Sequence, residues 1–275
     1  MSPRSNGNDD VQAAQRVTGA EPAVHGIIAV QMPDTVLSPA ERERLNEIVG
    51  RHMALCDGLR SHCERCLHTG RWGGSVTLMV VDAAFMSIGL NYFTAVVPGV
   101  ATYEQEMHTG RVPDSLSALS CVRYESVAAI WKNRRSWEMA KGVAGCLSRH
   151  GAGTANGDTA ALRAWAARAS LESWTSDAVG MVKGVGINTY QYLRMMGGID
   201  TSMPDKIVRR VIAQIAMEAA VALPTRGDLE LVDTIALIGH VTGHRPIELC
   251  WMTWMVQSEG KTMRMDKYRD LLQRI

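Results

Sequence analysis

The stretch KGVGINTYQYLRMMGGIDTSMPDKIVRRV, residues 183–211, decides how this chain reads. It holds a Gly-x-Gly turn at Gly184 and Gly186, a short helical run, a second glycine pair at Gly197 and Gly198, and then Asp205 between Pro204 and a basic helix. Glycines permit left-handed dihedrals and carry no Cβ to keep a ligand away from the backbone. A helix that starts directly after them aims free backbone N–H groups outward, which makes an anion site. Val185, between the glycines, reads as a buried pin joining two helices. Pro204 preorganises the next helix start, and Asp205 falls in its first turn, where the macrodipole favours the ionised carboxylate. The plain alternative is a helix connection followed by an acid that only stabilises a helix terminus.

Bulk properties narrow the setting. With 275 residues, 46% of them hydrophobic and 21% charged, the chain can bury a sizeable core in one broad domain or two modest ones. A formal net charge of +1 gives no global basic field, so any surface for nucleic acid must be local. The polar opening MSPRSNGNDD lacks the pattern of a signal peptide, and 1–35 reads as a disordered or irregular segment. The most apolar stretch, 76–100, carries Asp82 and Asn91 and reads as buried helix and loop, not as a membrane span. Six cysteines without secretory features fit a reducing cytoplasm, and a cytoplasmic monomer is expected.

Helical periodicity dominates the rest, and the fold class is all-α. Ser38, Pro39 and Glu41 form a helix start with a capping box. From there one long helix is expected to reach residue 67, because Leu45, Val49, His52, Cys56, Leu59, Cys63 and Cys66 alternate by four and three on one face. HTGRWGG at 68–74 breaks it. A buried helix to Met86, a loop-rich 98–119 with a cap at Asp114, helices at 121–133 and 134–150, and a flexible 150–158 follow. Further helices are expected at 159–168, 170–181, 187–196, 204–222, 228–241 and 246–257.

The linked motifs VKGVGINTY (182–190) and MPDKIVRRV (203–211) resemble the helix–hairpin–helix base-excision DNA glycosylases. That superfamily includes endonuclease III and the alkyladenine and adenine-mismatch glycosylases. Its pattern is a hairpin like LPGVGxxTA, a short helix, and a Val-Asp-Thr-His or Pro-Asp segment entering a helix with a basic residue. The close match covers 182–211, and the flanking helices fit the family's architecture. The resemblance implies a two-lobed molecule: a helical barrel at 75–197 ending in the hairpin, and a second lobe built from 36–74 plus 198–275, with a DNA cleft between them. It places Asp205 on the catalytic carboxylate. It places Gly184 and Gly186, with Lys183, Val185 and Thr189, on the hairpin that holds a DNA phosphate, with a monovalent cation site nearby. Lys206 and Arg209, with Arg210 beside it, would meet phosphates further along, their alternative being a solvated helix face. Asn188 stands where bifunctional members carry the Schiff-base lysine. An amide forms no imine with the sugar, so a monofunctional enzyme that leaves an abasic site is expected. Lys183 or Lys206 is the alternative amine. Asn91 and Tyr92 are the candidates for the base pocket.

The chemistry asks for such parts. A base inside a duplex must be flipped out, at roughly a few kcal/mol. Its departure leaves an oxocarbenium-like sugar, and one ionised carboxylate beside that sugar stabilises the charge or orients water. The default substrate is a damaged or mismatched base. The alternative is a hypermodified base of phage DNA, such as glucosylated hydroxymethylcytosine. The reading from another class is a non-catalytic module that grips duplex backbone in a salt-dependent way.

Cys56, Cys63 and Cys66 share the spacing of three iron–sulfur ligands, but Trp72 stands in the fourth position and the family's cluster lies near the C-terminus. Core packing is the favoured reading, and zinc with His62 and His68 is the alternative; no cofactor is required. His240 and His244 read as loop histidines. Trp131 to Arg135, with Trp137, reads as tryptophans inward and charges outward, with DNA stacking the alternative. Trp251 and Trp254 read as core.

Overall fold

The computed structural model describes residues 37–151, 157–258, 261–262 and 275. The expected N-terminal segment 1–35 lies outside the described residues, as does most of the glycine-rich stretch after residue 151. Twelve helices run along the described chain, and a two-residue antiparallel pair, Gln257–Ser258 with Lys261–Thr262, is its sole β element. The all-α expectation holds.

Helix α1, Pro39–Met53, starts as its sequence demands: the Ser38 hydroxyl accepts the Glu41 amide, and the Glu41 carboxylate accepts the Ser38 amide at 2.8 Å. The expected single helix to residue 67 is two. The chain leaves α1 at Ala54 and restarts at Gly58, whose φ of 73° suits glycine, to form α2, Leu59–Leu67. The apolar stripe survives the break, with Leu45, Val49, Cys56, Leu59, Cys63 and Cys66 all buried.

Helix α3, Val76–Met86, is capped by Ser75 and buried all round. A π-helical turn at Tyr92–Val96 leads into α4, Val97–His108, where a loop was expected. Pro98 sits in the first turn, where its missing N–H costs nothing. Helix α5, Leu116–Ser120, takes its cap from Ser115, not Asp114. The expected helix at 121–133 is reduced to α6, Tyr124–Val127. Side chains capture the carbonyls there: Tyr124 Oη donates to Lys132 O and Trp137 Nε1 to Trp131 O, each at 2.8 Å.

Helices α7, Arg134–Gly151, and α8, Gly157–Arg168, follow. The helix expected at 170–181 is replaced by turns around a 3₁₀ turn at Trp174–Ser176. Asp177 Oδ1 takes the amides of Val179 and Gly180 and the Trp165 indole N–H, so the side chain outcompetes helical pairing. Then come α9, Ile187–Met196, α10, Lys206–Glu218, α11, Asp228–Thr242, and α12, Pro246–Val256. Helix α10 is shorter than the expected 204–222, because Ala220 turns left-handed at φ 51°.

Helix α7 packs on α3, α5 and α8, and α9 packs on α3 and α8. Helix α12 packs on α2, α10 and α11, with α1 against α10 and α11. One continuous apolar core joins them, centred on large buried side chains such as Trp72, Trp137, Trp165 and Trp251. No described helix is long and apolar enough to cross a membrane.

Candidate active site

The glycine turn closes by a hydrogen bond from Val185 N to Val182 O, at 3.0 Å. Gly184 takes φ +100°, a conformation that suits glycine, and Lys183, Gly184 and Gly186 are exposed. Val185 is half-buried and packs on the core. Gly186 stands at the N-cap of α9 with no side chain to close the helix end, and a Cβ added there would meet nothing within 4 Å. The start of α9 is therefore open to an anion. Thr189 is buried in that first turn. Asn188 is half-buried, and its Oδ1 atom is shielded from solvent without a hydrogen-bond partner.

Asp205 is the N-cap of α10, one position before the first turn where the sequence places it. Its Oδ1 accepts the amides of Ile207 at 2.6 Å and Val208 at 2.9 Å. Its Oδ2 accepts the indole N–H of Trp254, at 2.8 Å. Burial of the carboxyl pushes its pKa above the ordinary value, against the opposing pull of the Val208 and Ile207 amides, the Trp254 indole and the Lys206 charge. This is an acid held by dipoles, raised but still ionisable.

The basic residues around it divide. Lys206 is exposed. The Arg209 guanidinium is engaged within the protein, donating to the carbonyls of Pro204, Thr225, Arg226 and Gly227 and pairing with the Asp228 carboxylate. Arg210 donates to Gln257 Oε1 at 3.0 Å.

Asn91 caps the π-helical turn by accepting the Thr94 amide at 2.9 Å. Tyr92 is buried in a cluster that sequence reasoning missed. Asp82 Oδ2 accepts from Trp72 Nε1 at 2.8 Å, Tyr192 Oη at 2.6 Å and Tyr92 Oη at 3.0 Å, and Arg71 lies 3.4 Å away. Arg71 also donates to both phenols and lies over the Trp251 ring, 5.2 Å from its centroid. Burial pushes both tyrosines up, so they remain neutral donors. The signal for this cluster was Asp82 itself: an acid alone in an apolar run requires partners. Trp254 was missed as well. It is half-buried and binds Asp205, and its ring centroid lies 6.2 Å from that of Tyr92.

Cys56, Cys63 and Cys66 are buried free thiols, and burial pushes Cys66 up to about 11 and Cys56 up to about 12. Among the described residues no group of three or more His, Cys, Asp or Glu is placed to hold a metal ion. His240 lies in the last turn of α11, not in a loop, whereas His244 follows that helix. Trp131 stacks on Phe85 with centroids 4.2 Å apart, Trp137 is buried, and Lys132, Arg134 and Arg135 face solvent.

No protein-family model matches the sequence, and no curated protein matches it. Among solved structures the chain is similar to the crystal structure of Tm1821, the 8-oxoguanine DNA glycosylase of Thermotoga maritima. The TM-score is 0.51 at 14% sequence identity, over 82% of this chain and 100% of that one. The likeness establishes a helical fold of the glycosylase kind.

Proposed function

We propose that the protein is a monofunctional DNA glycosylase, with Asp205 as the carboxylate that stabilises the sugar of a flipped-out nucleotide. The observation that carries this reading is the succession of two helix starts in one short segment: an uncapped glycine turn before α9, and a half-buried acid at the start of α10. In this reading Lys183, Gly184, Gly186 and the first amides of α9 hold a DNA phosphate, with Lys206 adding charge nearby. A monovalent cation bound by the carbonyls of the turn would add positive charge beside that phosphate.

In its ionised form Asp205 would face the positive charge that develops as the base leaves. Asn188 supplies an unbonded acceptor and no amine, which supports hydrolysis without strand cleavage. The packing of α3, α5, α7, α8 and α9 on one side and α1, α2, α10, α11 and α12 on the other supports the two-lobed arrangement. Tyr92 lies beside Trp254, which binds the acid, but it is buried with its hydroxyl held in the Asp82 cluster and does not line an open base pocket.

One observation favours a non-catalytic DNA-binding module: two amides on Oδ1 already give Asp205 a structural task. The two readings separate on one experiment. DNAs carrying damaged, mismatched and hypermodified bases, phage genomes included, are incubated with the protein, and released bases are identified by mass spectrometry. Alkaline treatment then reveals abasic sites. Release by the wild type and none by Asp205→Asn, with duplex binding retained, is the expected result. Binding without release on every DNA would establish the module.

A further inference from the structure

We infer that Trp254 is a positioning residue for Asp205, its indole N–H fixing the carboxylate oxygen that the helix cap leaves free. This rests on the glycosylase reading for its catalytic meaning, but not for its geometry. Oδ1 is committed to Ile207 N and Val208 N, which define one edge of the carboxylate. The torsion that sets the plane of an aspartate carboxylate is broad and hydrogen bonds tolerate a range of angles, so these two bonds alone hold Oδ2 loosely. Trp254 Nε1 fixes it from α12, at 2.8 Å, across the contact between α10 and α12.

The indole is itself held: Trp254 packs against the core, near Tyr92 of the Arg71–Asp82 cluster. The ionisable groups facing Asp205 are Lys206 on its own helix and Cys250 on α12, whose Sγ accepts the Met203 amide at 3.4 Å. Burial holds the thiol protonated, leaving Lys206 as the charged neighbour. The indole N–H is thus the contact from outside α10 that favours the ionised acid and aims its second oxygen.

Two measurements test this. In the wild type, the Trp254 indole proton and the Asp205 carboxyl carbon are followed by NMR against pH, with Asp205→Asn as the assignment control. Both resonances should move together through one titration. In Trp254→Phe, which keeps an aromatic ring and loses the N–H, the Asp205 midpoint should rise by roughly one pH unit. Single-turnover base release should fall about tenfold at neutral pH, with the acid limb of its profile displaced upward and the affinity for DNA unchanged.

An indole resonance indifferent to Asp205 overturns the inference, and needs no folded variant to do so. A folded Phe variant with an unmoved midpoint or an unmoved rate also overturns it. Coupled titration in a wild type that releases no base would retain the contact and overturn the glycosylase reading instead.

Discussion

Asp82 and Asp205 each accept an indole N–H on Oδ2 at 2.8 Å, from Trp72 and Trp254, yet their surroundings are opposite. Asp82 is wholly buried, with the Arg71 guanidinium 3.4 Å away and two neutral phenols on the same oxygen. Asp205 is half-buried at a helix start, held by backbone amides, with exposed Lys206 as its cationic neighbour. The first acid is neutralised by a fixed cation and is a structural tie between segments far apart in the chain. The second is stabilised by dipoles, which leave its charge able to answer a cation that develops during a reaction. One residue type serves two roles because its environment differs.

The largest effect that would sharpen this contrast is on stability. Asp82→Ala leaves Arg71 buried without its counter-charge, and should cost about 3–5 kcal/mol of unfolding free energy by denaturant titration. A loss under about 1 kcal/mol would mean that the cluster is not an ion pair in solution.

Asp205→Asn should act the other way round. The fold is retained, while base release falls by about 10²–10⁴-fold in single-turnover assays. pH probes Asp205 further. Burial raises the Asp205 pKa, so the native state binds a proton that the unfolded chain has released between the ordinary and the raised value. The contribution of Asp205 to stability is therefore greatest below the ordinary carboxylate range, and is lost as pH rises through that window. The stability of the wild type relative to Asp205→Asn should decline across the same window and then level off. A flat difference would contradict the raised pKa.

Asp205→Ala adds a smaller structural effect. Without an acceptor for the Ile207 and Val208 amides, the start of α10 should lose about 1 kcal/mol, read as a lower thermal midpoint than that of Asp205→Asn. Equal midpoints would mean that the cap contributes nothing.

The same contrast explains what could be read from the chain. The turn and Asp205 lie within one short segment, and glycine spacing, a proline and a lone acid are local signals. Helix ends at Ser38, Asp228 and Pro246 were legible for the same reason, since caps are encoded within a few residues. The Asp82 cluster draws Arg71, Tyr92 and Tyr192 from three separated segments, and no periodicity encodes which of them meet. Trp254 shared its helical spacing with buried Trp251, so pattern alone assigned both to the core. Residues 170–181 failed differently: helical spacing was present, but the Asp177 side chain took the amides that a helix would use. Gly180 seals that turn, since a Cβ there would lie 1.7 Å from Trp174 O.

The smallest effect expected is also the most selective, and it concerns Gly186, set against its neighbour Gly184. Gly184 has φ +100°, so Gly184→Ala strains the backbone and should cost roughly 1–2 kcal/mol of stability whatever the turn does. Gly186 has an extended φ of −110°, and open space surrounds the place its Cβ would take. Gly186→Ala should therefore leave the thermal midpoint close to that of the wild type. Its methyl group would nevertheless project over the uncapped start of α9, where a phosphate must approach the amides. Duplex affinity, measured by fluorescence anisotropy over a range of salt concentrations, should fall about fivefold, the worth of about one hydrogen bond. Weakened binding in a stable Gly186→Ala protein assigns the turn to DNA. Unchanged binding at every salt concentration would make it a helix connection and nothing more, and Asp205 would then lack the anchored strand that its proposed chemistry requires.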